Sequence, residues 1–81
     1  MGVLIMKTVK VRLSSIEAVR DFVDDVRKYE AEIDLASGRY VVDAKSIMGI
    51  FSLDLMNPIT MTIHKDDCDD IIAELKAYII D

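Results

Sequence analysis

From Lys7 the stretch KTVKVRL sets Val9, Val11 and Leu13 against Thr8, Lys10 and Arg12 in strict alternation. A period of two predicts a half-buried strand. The period then changes. Across SSIEAVRDFVDDVRKYE, Ile16, Val19, Phe22, Val23, Val26 and Tyr29 recur at helical spacing, and Glu17, Arg20, Asp21, Asp24, Asp25 and Lys28 fill the other face. That is the pattern of an amphipathic helix. Ser14 followed three residues later by Glu17 fits a capping box at its start. EIDL reads as a second strand with Ile33 and Leu35 inward, and YVVD as a third. ASGR between them predicts a hairpin turn in which Gly38 supplies the positive φ. Residues 47–53 predict a short helix behind Ser46, and Asn57-Pro58 a loop. ITMTIH alternates again, with Ile59, Met61 and Ile63 inward. DDCDDIIAELKAYII closes the chain with Cys68, Ile71, Ile72, Leu75 and Tyr78 on one helical stripe.

The order strand, helix, strand, strand, helix, strand, helix needs one sheet face to bury three apolar helix stripes. The expectation is therefore an α+β, two-layer sandwich with the other sheet face wet. With 81 residues there is room for one small domain over 1–81 and no cleft between domains. Met6 begins the alternation, so residues 1–5 read as an extension.

Charge and chemistry narrow the choice. Fifteen acidic and ten basic residues give a net charge of −5. That disfavours nucleic acid and anionic membranes, which need a basic face. No apolar run approaches the ~20 residues of a membrane span, and the opening MGVLIM lacks the basic flank of a signal peptide. A single cysteine, Cys68, excludes an internal disulfide and points to a reducing, cytoplasmic setting. One histidine and one cysteine cannot build a structural zinc site. Asp66, Asp67, Asp69 and Asp70 lack the spacing of a calcium loop and read as a solvated helix start. No cofactor, metal or catalytic constellation is expected.

Ser46 stands directly before an apolar run, Ile47, Met48, Ile50, Phe51, Leu53 and Leu55. Serine is favoured as an N-cap, and the cap alone would account for it. A two-turn helix cannot bury the whole run, however. Ile50, Leu53 and Leu55 fit the core, while Ile47, Met48 and Phe51 form a second stripe suited to docking.

These residues carry a resemblance. AKSIMGIFSL (44–53) resembles the regulatory-serine segment of HPr, the phosphocarrier protein of the bacterial sugar phosphotransferase system, and KYEAEIDL (28–35) is similar to HPr at the end of its first helix and its second strand. The element order agrees from about Lys7 to Tyr78. The resemblance implies an open-faced sandwich with an antiparallel sheet in the order 1-4-2-3. It implies phosphorylation at Ser46, with Lys45 and Gly49 in the segment that HPr kinase/phosphorylase reads, and Ile47, Met48 and Phe51 as the dock. A catabolite-control transcription regulator is the second implied partner.

The chain departs from the family at one place. HPr proteins carry a Gly-x-His-Ala-Arg-Pro-like motif at the start of the first helix. Counting back from Tyr29 puts Ser15 at the histidine position and Glu17 at the arginine position. Imidazole, with a pKa of roughly 6.5, both accepts and releases a phosphoryl group near neutral pH. A serine hydroxyl without an adjacent base is a poor nucleophile, and a carboxylate in place of the arginine repels phosphate. The chain thus looks like the Crh type, a subgroup without the active histidine, which argues against enzyme I as a phosphoryl donor. His64, ending the fourth strand, has no carboxylate or arginine neighbour in the sequence and reads as an exposed strand-end residue. Two rival expectations stand beside the regulatory one: a working phosphocarrier between enzyme I and sugar-specific components, and an adaptor that is never phosphorylated.

Overall fold

The computed structural model describes residues 6–80, so the expected extension at 1–5 lies outside it. The elements are β1 (Lys7–Val11), α1 (Ile16–Val26), β2 (Ile33–Ser37), β3 (Tyr40–Asp43), α2 (Ile47–Phe51), β4 (Ile59–Ile63) and α3 (Asp69–Glu74). The strands form one sheet in the order β1-β4-β2-β3, with every neighbouring pair antiparallel.

Alternation does the sorting. Val9, Val11, Ile33, Leu35, Ile59, Met61 and Ile63 point to one face, where they meet Val19, Phe22, Val23 and Val26 of α1, Ile50 of α2, and Ile71 and Leu75 beyond them. The opposite face carries Thr8, Lys10, Thr60, Thr62 and Asp34 and is wet. Gly38 takes φ 61° in the two-residue turn between β2 and β3. Positive φ at the first turn position is what a type II′ hairpin requires. Cys68 is buried in the core, and burial pushes its thiol upward, which keeps it protonated and inert.

Four local expectations need correction. Ser15, not Ser14, caps α1: its side chain accepts from the Ala18 amide at 3.0 Å. Two serines in tandem left the choice open, and with Ser15 as N-cap, Glu17 falls one residue short of the capping-box position. Ile16 is 66% exposed, because the first helical residue faces away from the sheet. Helix α2 ends at Phe51 rather than Leu53. Finally, α3 is one short helix ending at Glu74, after which the chain tightens into turns (Tyr78 N to Leu75 O, 2.9 Å; Ile79 N to Lys76 O, 3.2 Å). Tyr78 then stacks edge-on against Phe22 with ring centroids 5.5 Å apart. This brings the tail alongside β1: the Ile80 amide donates to Lys10 O at 3.0 Å, and the Arg12 amide to Tyr78 O at 2.9 Å. Lys28 joins α1 to α3 through Glu74 at 3.0 Å, and that hydrogen bond leads the causes that raise its pKa.

Candidate functional site

Ser46 sits in extended backbone at the start of α2, and its exposed Oγ accepts from the Gly49 amide at 3.1 Å. The residues around it are placed by short, specific contacts. Asp43 accepts from the Lys45 amide at 2.8 Å, and the Ser46 amide donates to Asp43 O at 3.0 Å, so the turn out of β3 is pinned twice. The Lys45 ammonium reaches back to Tyr29 O at 2.6 Å, and Arg27 donates to Lys45 O at 3.2 Å. The end of α1 is thereby tied to the serine turn. Gly49 has a packing reason: a Cβ there would lie 3.0 Å from Ser46 Oγ and 3.1 Å from Val42 Cβ. Much of the Lys-Ser-Ile-Met-Gly string therefore has a local structural cause as well as a family one.

Beyond the cap, α2 divides its apolar residues as its short length requires. Ile50 and Leu53 are buried. Ile47 is half-buried against the core, as is Leu55. Met48 is 77% exposed and Phe51 39%. The expected dock therefore loses most of Ile47, and Lys45 is engaged within the chain.

Phe51 also lines a groove of about 460 Å³ with Leu55, Met56, Ile16, Ser14 and Ser15. The start of α1 and the end of α2 thus share one apolar trough. Met56 is 90% exposed on its rim. No motif marked Met56, which lies in a loop without periodicity. Its place follows from the turn that Asp54 holds by accepting from Met56 N at 3.2 Å and Asn57 Nδ2 at 2.9 Å.

Position 15 therefore opens on the groove, but with a hydroxyl committed to a helix cap and with Glu17 in the first turn of α1. His64 is exposed at the end of β4, as expected, but it does have a carboxylate neighbour: its Nε2 lies 2.7 Å from Asp34 Oδ2, thirty residues away in sequence. The pair sits on the wet face. Val11 pairs with Ile59 at the Ser15 end of the sheet, and Lys7 with Ile63 at the His64 end. Four residues of strand, ~13 Å, separate these two ends. The imidazole cannot take part in the groove. Among the described residues there is no group of acidic, cysteine and histidine side chains able to hold a metal ion, and no helix is long and apolar enough to cross a membrane.

Comparison with known proteins places this arrangement. Solved structures that share the fold include HPr-C-His from Thermoanaerobacter tengcongensis, 27% identical over 89% of this chain and 86% of its own, with a TM-score of 0.71, and a phosphocarrier protein HPr from Bacillus anthracis str. Ames, 30% identical over 98% and 100%, with a TM-score of 0.69. No curated protein matches. The family model described as "PTS HPr component phosphorylation site" matches residues 8–81. On that match over nearly the whole chain, joined to the β-α-β-β-α-β-α order and the β1-β4-β2-β3 sheet, the protein belongs to the HPr family, the phosphocarriers of the phosphotransferase system.

Proposed function

We propose that the chain is a regulatory, Crh-like member of the family: a non-catalytic, cytoplasmic module of one domain, switched by phosphorylation at Ser46 and unable to carry phosphate on histidine. The observation that carries this reading is the contrast between its two helix-capping serines. The Ser46 hydroxyl is exposed near Met48 with no acid in the first turn of α2, whereas Ser15, which the count back from Tyr29 puts at the family's histidine position, has Glu17 two residues on. HPr kinase/phosphorylase would take Ser46 Oγ as acceptor and grip Met48, Phe51 and the groove. The added charge of about −1.5 to −2 would change the potential of that surface more than its shape. A catabolite-control transcription regulator is the partner that would read the charge.

The test is incubation with HPr kinase/phosphorylase and ATP. Wild type should gain one acid-stable phosphate and Ser46→Ala none. An unmodified wild type would remove the switch. Incubation with enzyme I and phosphoenolpyruvate should give no acid-labile adduct, and its formation would restore the carrier reading.

A further inference from the structure

The cation next to Ser46 in sequence is turned away from it. The Lys45 ammonium donates to Tyr29 O at 2.6 Å, a partly buried contact that holds it against the end of α1.

A second cation stands on the serine turn instead. Arg27, eighteen residues before Lys45, donates from Nη2 to Lys45 O at 3.2 Å. That oxygen belongs to the peptide group joining Lys45 to Ser46, so the guanidinium already rests on the backbone that enters the serine. Arg27 is the C-cap residue of α1 and is exposed. It makes no ion pair and no other side-chain hydrogen bond among the described residues. A guanidinium carries five N–H donors, and most of these are unused.

The turn also holds an anion. Asp43 accepts from the Lys45 amide through its carboxylate at 2.8 Å and from the Ser46 amide through its carbonyl at 3.0 Å. A phosphate on Ser46 Oγ would share the turn with that carboxylate, and like charges so placed resist ionisation unless a cation offsets them. The five-residue helix α2 does not supply one, and its Gly49 amide is already committed to Oγ. Arg27 is what fits. Its planar fork matches phosphate oxygens in a way that a lysine ammonium does not.

We propose that Arg27 is an internal clamp for phosphoserine 46. Once Ser46 carries a phosphate, the Arg27 guanidinium moves from Lys45 O to the phosphate oxygens and ties the end of α1 to the start of α2. Lys45 keeps its bond to Tyr29 O and takes no part. The inference rests on the reading of Ser46 as the acceptor, but on no particular kinase. The pairing favours the dianion, so it lowers the second pKa of the phosphate below its ordinary value near ~6. A pKa lowered on folding adds stability that is fully present above the ordinary value and fades as pH falls through the lowered one.

The test installs phosphoserine at position 46 by genetic-code expansion and follows its titration by ³¹P NMR. Arg27→Gln should raise the phosphate pKa by about 0.3 unit or more, and Arg27→Lys by less than Arg27→Gln. Lys45→Gln should move it by less than either. In urea the phosphate should stabilise the chain at pH 8, and Arg27→Gln should abolish that gain. A merely structural role for Arg27 would weaken both forms alike and leave the titration unmoved. A smaller shift in Arg27→Gln, or one matched by Lys45→Gln, overturns the proposal. Because no kinase is used, that failure condemns the clamp alone, whereas a Ser46 left unmodified by HPr kinase/phosphorylase condemns the switch.

Discussion

Ser15 and Ser46 do the same local job in opposite surroundings. Each hydroxyl accepts from the amide three residues on, at 3.0 Å for Ala18 and 3.1 Å for Gly49. Each opens a helix, but Ser15 lines the apolar trough while only the far end of the Ser46 helix, at Phe51, reaches it. At Ser15 a carboxylate stands in the first turn; at Ser46 none does, and the exposed neighbour is Met48. Cap geometry alone therefore distinguishes neither serine as a phosphate site. What separates them is the charge within one helical turn, because phosphate needs free donors without nearby anions; exposed apolar side chains stand beside both, Ile16 at 66% and Met48 at 77%.

The sharpest way to break that comparison is to remove each hydroxyl. Ser46→Ala should abolish kinase-dependent incorporation, and Ser15→Ala should leave it intact. Each should lose about 1 kcal/mol of stability in urea denaturation, the ordinary cost of an N-cap. Incorporation that survives in Ser46→Ala and fails in Ser15→Ala would reverse the assignment. Next in size is the dock. Met48→Asp places a charge on a side chain that is 77% exposed. It should lower kinase kcat/KM by about tenfold or more, in the range of an interface anchor, with melting temperature essentially unchanged.

Gly49→Ala sharpens the comparison through packing. The new methyl would meet Ser46 Oγ at 3.0 Å and Val42 Cβ at 3.1 Å. The oxygen can rotate away only by giving up the cap, and Val42 is fixed by its strand. Crowding of about 1–3 kcal/mol exceeds the gain in helix propensity of up to about 1 kcal/mol. A net loss of about 1 kcal/mol is expected by denaturant titration. The matching residue at the other cap is already alanine, Ala18, so no such crowding operates at Ser15.

The strands and their inward faces were legible because a period of two translates directly into a side of the sheet. Ile33, Leu35, Ile59, Met61 and Ile63 needed nothing further. Helix ends were less legible. Ile16 fits a helical stripe in projection, yet it occupies the first turn, where the helix has already swung away from the sheet. Tyr78 fits the α3 stripe equally well, but its ring packs on Phe22 from a turn, not from a helix. Contacts between distant segments were not legible at all. Nothing along the chain links Asp34 to His64, or the Lys45 ammonium to the Tyr29 carbonyl, since these meetings depend on strand order and on where α1 stops. Met56 joined the groove in the same way. The serine and its exposed methionine were readable; the trough that joins Phe51 at the end of α2 to Ser15 was not.

The smallest effect tests the charge half of the comparison directly. Glu17 is exposed in the first turn of α1, where its carboxylate complements the unpaired amides and the positive helix end. Glu17→Gln keeps the shape and deletes the charge. Stability should fall by about 0.3–0.5 kcal/mol at low ionic strength, and the loss should vanish near 1 M salt, where exposed charges are screened within ~3 Å. Ser46 incorporation should not change. A loss seen only in Glu17→Ala, in high salt as well as low, would mean that Glu17 acts through a fixed hydrogen bond that glutamine keeps rather than through its field. The α1 start would then be a capping box centred on Ser14 after all, Ser15 would be released from the cap, and the likeness between the two serines would fail.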